Sequence, residues 1–164
     1  MTMSRSMTVF KKLAMLSLLA AAAASSSAQG RFTVSADGQE VLDSTSRLTW
    51  RRCAEGMGWD GKTCTGKPLK FKFAGAKAKA AASAQGAWRV PTRDELVGLV
   101  DMKSKKKPRI DGEAFPMTPA VPFWATRPGT DDNLNAWLVS FSSGKVAGNV
   151  GQSKFALRLV RAGS

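Results

Sequence analysis

The most informative stretch of this sequence is Trp88-Arg89-Val90-Pro91-Thr92-Arg93-Asp94-Glu95-Leu96, because it marks where one secondary-structure element ends and another begins. A residue before proline avoids the helical conformation, so the chain should be extended up to Pro91. Thr92 and Glu95 have the Thr-x-x-Glu spacing of a capping box, in which each side chain bonds the other residue's backbone N–H. The stretch therefore predicts a short strand that ends at Pro91 and an amphipathic helix that starts at Arg93.

Residues 1–28 have the pattern of a cleaved signal peptide. Basic residues, the last of them Lys12, precede an apolar run over residues 13–24, and small residues follow up to Ala28. A membrane anchor is the alternative, but this run is shorter than the roughly 20 residues that a span needs. We therefore expect an exported domain of residues 29–164, periplasmic or extracellular, with no membrane span.

The chain is strongly basic, with 25 lysines and arginines against 12 acidic residues and a formal net charge of +13. Such an excess favours polyanionic partners. Export makes specific nucleic-acid binding a poor first hypothesis, so the expected partners are anionic polysaccharides and other envelope polymers, with extracellular DNA as a further candidate. The alternative is that the charge only keeps the protein soluble.

Cys53 and Cys64 are the two cysteines of the chain, and pairing is the usual outcome in an exported protein. The bridge closes about a dozen residues, which is worth about 3 kcal/mol in the chain-entropy model. A zinc site needs more ligands than two cysteines, and the chain has no histidine. The sequence therefore predicts a structural disulfide, with no metal and no cofactor.

Short apolar runs separated by turn residues predict a mixed fold. Strands are predicted at residues 32–34 and 41–42 around an Asp37-Gly38 turn, at 48–50, 123–125, 136–141 and 155–161, and from Val146 onward. Helices are predicted at residues 74–85 and from 93 to about 101, an extended half-buried segment at 69–73, and an ordered loop at 53–67. This layout indicates a single α+β domain with two helices and a mostly antiparallel sheet.

Several short motifs follow one another across residues 41–161. They are Asp43-x-Thr45-x-x-Leu48-x-Trp50, the two cysteines, Trp88-Arg89-Val90-Pro91-Thr92 with Glu95-Leu96, Phe115-Pro116, Phe123-Trp124-Ala125-Thr126, Ala136-Trp137-Leu138-Val139-Ser140-Phe141 with Gly144, and Val160-Arg161. This ordered set resembles the Lcl C-terminal domain family, named for the C-terminal domain of a bacterial collagen-like adhesin. The resemblance implies a fold similar to C-type lectins and to formylglycine-generating enzymes.

The same resemblance implies adhesion, since the adhesin domain is linked to sulfated glycosaminoglycans. That adhesin trimerises through its collagen-like region, whereas no Gly-x-y run precedes the domain in this sequence. The oligomeric state is therefore not predicted. Some relatives carry a cysteine between the two closing arginines, at the position that Leu159 occupies here.

A cluster of basic residues after the second predicted helix is the main candidate for ligand binding. Its members are Lys103, Lys105, Lys106, Lys107 and Arg109, with Lys70, Lys72, Lys77 and Lys79 as possible additions. Arginine binds sulfate and phosphate groups bidentately, while lysine acts on them as a point charge. The alternative is a charged loop that is simply solvated.

Trp59 is the one tryptophan that we retain as a candidate ligand platform, because it lies in the predicted disulfide loop. The other four occur beside predicted strand residues, which favours packing in the core. They are Trp50, Trp88, Trp124 and Trp137.

Calcium binding and catalysis find little support in the sequence. Oxygen ligands cluster at Asp131, Asp132, Asn133 and Asn135, but their spacing matches no calcium loop, so a solvated turn is expected. The chain has no histidine and no tyrosine, which removes two common acid–base groups. The capping box accounts for Glu95, so this carboxylate is not a candidate catalytic group. For these reasons together, we expect no enzymatic activity.

The leading hypothesis is a secreted bacterial binding module, adhesin-like, that recognises anionic glycans or envelope polyanions by electrostatic contact. One alternative is a periplasmic protein-interaction domain with no glycan ligand. Another is a degenerate relative of formylglycine-generating enzymes.

Overall fold

The computed structural model describes residues 30–83, 86–127, 136–149 and 152–163. The predicted signal peptide over residues 1–28 lies outside these described residues. So do the calcium candidates Asp131, Asp132, Asn133 and Asn135. Within the described ranges, no helix has the length and apolar character needed to cross a membrane.

The described residues form two short helices and nine strands. In chain order these are β1 (Phe32–Val34), β2 (Glu40–Asp43), β3 (Leu48–Arg51), β4 (Met57–Trp59), β5 (Cys64–Gly66), α1 (Phe73–Ala82), α2 (Arg93–Val97), β6 (Pro122–Thr126), β7 (Ala136–Ser140), β8 (Val146–Asn149) and β9 (Val160–Ala162). The named strands pair antiparallel in three sheets, ordered β1-β2-β3-β9, β4-β5 and β6-β7-β8. The α+β class is confirmed, and the similarity to C-type lectins stays a prediction.

The first sheet joins the two ends of the described chain. Trp50 in β3 pairs with Val41 in β2 on one side and with Val160 in β9 on the other. The predicted Asp37-Gly38 turn connects β1 and β2, and Gly38 adopts a φ of 72°. Glycine reaches this left-handed region without strain.

The capping box at α2 forms as predicted. The Glu95 N–H donates to Thr92 Oγ1 at 3.3 Å, and the Thr92 N–H donates to the Glu95 carboxylate at 2.8 Å. Arg89 adds two hydrogen bonds to the same carboxylate, at 2.7 and 2.6 Å. Burial opposes ionisation of Glu95, but the bonds from Arg89 and Thr92 outweigh it and lower the pKa of this carboxyl. Glu95 therefore acts as a cap and as an anchor for Arg89.

Both helices are shorter than the sequence predicts. Helix α1 spans Phe73–Ala82 and ends in a turn in which the Ser83 N–H donates to the carbonyl of Ala80. Helix α2 ends at Val97, and the Leu99 N–H donates to the carbonyl of Leu96 in a tighter turn. Leu99 is still buried although it lies after the helix. The apolar spacing in the sequence therefore extends past the last helical residue, and the predicted helix was too long.

Residues 53–67, predicted as a loop, contain a short hairpin. Strands β4 and β5 pair with Trp59 opposite Cys64. The sequence signal was weak because this segment is rich in glycine and threonine and has few apolar residues. The disulfide thus holds a hairpin rather than an irregular loop.

The predicted alternating strand at residues 155–161 is wrong over most of its length. The strand is limited to Val160–Ala162, and all residues from Ala156 to Val160 are buried. This segment is covered on several sides, since its carbonyls accept N–H groups from β3, β6 and the 88–96 stretch. A segment covered in this way buries every side chain, so inside and outside positions no longer alternate.

The buried apolar residues form two clusters. Trp50, Leu96 and Phe123 belong to the first, and Trp88 and Trp124 belong to the second. These three tryptophans are at most 6% exposed, as expected for core residues. Trp137 differs, because it is only partly buried and packs against the first cluster.

Candidate functional site

The predicted disulfide between Cys53 and Cys64 is present. The two Cα atoms are 5.6 Å apart, inside the usual range for a bridged pair. The chain contains only these two cysteines, and both take part in the bridge, so neither is a free thiol. The bridge ties the end of β3 to β5 and so fixes the position of Trp59 in the facing strand.

The Trp59 ring is partly covered by its neighbours. The guanidinium of Arg52 lies 3.9 Å from its ring centroid. This guanidinium is itself held, because it donates to the carbonyls of Glu113 at 3.0 Å and Ala114 at 3.1 Å. A Cβ at Gly38 would collide with the indole, so the backbone there packs against the ring. Arg52 and Gly38 thus occupy surface that a sugar ring would need.

The exposed part of Trp59 contributes to a small polar cleft of about 190 Å³. Arg51, Glu55 and Lys79 also line it, and Lys79 Nζ lies 3.5 Å from the Glu55 carboxylate. The sequence grouped Trp59 with the lysines of residues 103–107. The structure places it in a different cleft.

We call residues 103–109 the basic loop. Its base is anchored, because the Asp101 N–H donates to the carbonyl of Arg109 at 2.9 Å. Asp101 Oδ1 also accepts the N–H of Lys103, and the Arg109 N–H donates to the carbonyl of Phe141 at 2.7 Å. Since Phe141 is fully buried, the loop starts and ends on a rigid support.

The cations of the basic loop fall into two groups. The four lysines are exposed, and no ion pair of theirs is found among the described residues; they are Lys103, Lys105, Lys106 and Lys107. Arg109 is half-buried, and its guanidinium donates to the carbonyl of Met102 at 3.4 Å. Arg109 is therefore positioned as a support of the loop, whereas the lysines are accessible to a ligand.

A cleft of about 620 Å³ opens beside the basic loop. Ser104, Lys106, Lys107 and Pro108 of the basic loop line one part of it, and residues from the 110–119 segment line the rest. Met117 contributes apolar surface and is 65% exposed, while Phe115 lies fully buried in the lining. Ligand pockets in proteins usually measure about 300–1,000 Å³ and are mostly apolar with a few polar groups. This cleft fits that description.

Arg158 lies behind the cleft and is completely buried. It donates to the carbonyls of Arg51 and Arg52 and, at 2.8 Å, to the hydroxyl of Thr118. Its guanidinium is 4.9 Å from the ring centroid of Phe115. Thr118 and Phe115 both belong to the cleft lining, so a buried cation supports the wall of the cleft.

The burial of the charged Arg158 side chain is the main feature that the sequence did not predict. Burial lowers the pKa of this guanidinium to about 9, against the opposing attraction of Glu55, so it remains charged at neutral pH. An arginine between apolar neighbours on both sides, as in Ala156-Leu157-Arg158-Leu159-Val160, is the signal that could have indicated burial.

The acidic residues of the 88–96 stretch are engaged in pairs. Asp94 accepts a hydrogen bond from Arg93 at 2.7 Å, and Glu95 is held by Thr92 and Arg89. Across the described residues, no group of three or more histidine, cysteine or acidic side chains is placed to hold a metal ion.

One comparison with known proteins gave a match. The family model of the Lcl C-terminal domain matches residues 39–161, well over half of the chain. The matched range includes the disulfide, the capping box, the basic loop, the cleft and Arg158. Searches of curated proteins and of solved structures found no match. This chain belongs to the Lcl C-terminal domain family.

Proposed function

We propose that this protein is an exported bacterial binding module, adhesin-like, that recognises anionic glycans or other envelope polyanions through the basic loop. The observation that supports this most is the group of four exposed lysines, free of ion pairs among the described residues, on a loop with a rigid base. Removal of residues 1–28, which carry three basic and no acidic residues, lowers the formal net charge from +13 to +10, and this excess adds a long-range attraction for polyanions.

The exposure of these lysines sets the kind of ligand. A single exposed ion pair contributes only about 0–1 kcal/mol, because water screens the charges and the long side chains lose freedom. Four neighbouring lysines therefore gain useful affinity only from a ligand that carries several anionic groups. Binding should weaken as salt rises, because added ions screen exposed charges.

An enzymatic role has less support. Formylglycine-generating enzymes use a close pair of cysteines at the active site, whereas both cysteines of this chain form a disulfide that supports a hairpin. We therefore propose a binding function without catalysis.

The salt dependence of binding distinguishes a protein-interaction role from glycan binding, because a mainly apolar protein interface is less sensitive to salt.

Elution from a heparin column tests the proposal. The variant K103Q/K105Q/K106Q/K107Q removes four charges from the basic loop, and K62Q/K67Q/K145Q/K154Q removes the same number from exposed positions elsewhere. We expect the loop variant to elute at clearly lower salt than the control variant. Equal elution of the two variants would exclude the loop as the binding surface.

A further inference from the structure

We infer that the cleft beside the basic loop binds an amphipathic anion, namely a ligand that joins an acidic head group to an acyl chain. This inference rests on the proposed function for its anionic preference and adds an apolar part to the ligand. The head group would lie near Lys106 and Lys107, and the acyl chain would occupy the cleft.

The apolar part of the accessible lining is aliphatic. Met117 is 65% exposed, and Pro108 and Pro119 add further apolar surface, whereas the one aromatic ring, Phe115, is fully buried. Methionine adapts its shape to irregular apolar partners. The volume of about 620 Å³ is in the range of sites for small organic ligands. These features suit an acyl chain better than a sugar ring.

The charges around the cleft select the sign of the head group. Lys106 and Lys107 belong to the lining, and Glu113 is the one carboxylate among the described lining residues, so the balance is positive. Arg158 adds a buried charge behind Phe115 and Thr118, and its described hydrogen bonds go to uncharged oxygens. Glu55 attracts the same guanidinium and offsets part of this positive charge, so Lys106 and Lys107 contribute most of the selection for an anion.

The cleft is also preorganised. Thr118 accepts from Arg158 at 2.8 Å and donates to the carbonyl of Phe115, also at 2.8 Å. Arg52 holds the preceding turn through the carbonyls of Glu113 and Ala114. A wall held by these bonds does not need to reorganise when a ligand enters, which reduces the cost of binding.

Calorimetric titration with acetate, octanoate and dodecanoate tests the inference, because these anions share a head group and differ in chain length. We expect no detectable binding of acetate and an affinity that rises about fourfold per added methylene while the chain stays inside the cleft. Octyl glucoside, which has no charge, should bind more weakly than octanoate. Affinity that is independent of chain length would overturn the inference.

Point variants locate the site. M117Q replaces an exposed apolar side chain by a polar one of similar size and should lower dodecanoate affinity by at least tenfold. K106Q/K107Q should lower it, while E113Q should raise it because a repelling carboxylate is removed. The matched control K62Q/K145Q should leave it unchanged. Equal affinity of M117Q and the parent protein would place the acyl chain elsewhere and refute the assignment.

The two proposals fail separately. If dodecanoate does not bind while heparin elution depends on the basic loop, the cleft assignment is wrong and the proposed function stands. If dodecanoate binds with the expected variant pattern while heparin elution does not depend on the loop, the cleft assignment stands and the polymer is not the ligand of the loop.

Discussion

Removal of the disulfide is the perturbation whose magnitude follows most directly from the structure. Cys53 and Cys64 are separated by 11 positions, so the bridge closes a loop of about a dozen residues. In the chain-entropy model a loop of this size stabilises the fold by about 3 kcal/mol. Strands β4 and β5 have three residues each, and an isolated two-stranded hairpin is marginal in water. The hairpin therefore depends on the bridge and on its contacts with the rest of the protein.

The double variant C53A/C64A should lower the free energy of unfolding by about 3 kcal/mol. For a domain of this size, 1 kcal/mol corresponds to about 3–4 °C, so Tm should fall by about 10 °C. Urea unfolding and differential scanning calorimetry of the variant and the parent, without reductant, measure both quantities. Addition of a reductant should destabilise the parent and leave the variant unchanged. A loss below about 1 kcal/mol would refute the reasoning, because it would mean that the bridge constrains the unfolded chain much less than the chain-entropy model states.

Two further predictions concern other buried or partly buried polar groups. Arg158→Met should lower the free energy of unfolding by about 2–4 kcal/mol, since two carbonyls lose their donors at about 1–3 kcal/mol each and relief of the buried charge offsets only part. Urea unfolding measures this, and a variant as stable as the parent would contradict it. Glu95→Gln should cost about 1 kcal/mol at neutral pH through weaker capping and loss of the Arg89 pair. Because the pKa of Glu95 is lowered in the folded protein, this difference should be complete above pH 4.5 and shrink as the pH falls through the folded pKa. A difference that stays constant between neutral pH and pH values below 4 would show that the carboxylate charge contributes nothing.

The proposed ligand-binding surface combines exposed positive charge with an apolar wall. The lysines of the basic loop are exposed, so their contribution should fall as salt rises, whereas the apolar contribution of Met117 does not depend on charge screening. Binding that persists in part at high salt, in the parent but not in M117Q, would link the residual affinity to the cleft. This distinction separates an adhesin that holds polymers only by charge from one that also takes up an apolar group.

Local motifs were predictable from the sequence because their partners lie a few residues away. The capping box joins Thr92 to Glu95, and the Asp37-Gly38 turn joins neighbouring strands. The disulfide also followed from the sequence, since two cysteines leave only one possible pairing within the chain. The helix ends were less predictable, because the apolar spacing continues from α2 into a turn whose residues are also buried.

The sequence by itself determined the α+β class, the capping box of α2, the disulfide and the run of basic residues at 103–109. Only the tertiary structure decided which candidate residues lie together: Lys106 and Lys107 line one cleft, while Trp59 lines another and packs against Arg52. It also decided that Arg158 is buried, since the bonds that hold it join it to residues 40 and more positions away. Contacts between such distant segments depend on how the sheets and turns pack, and that packing leaves no short-range pattern in the sequence.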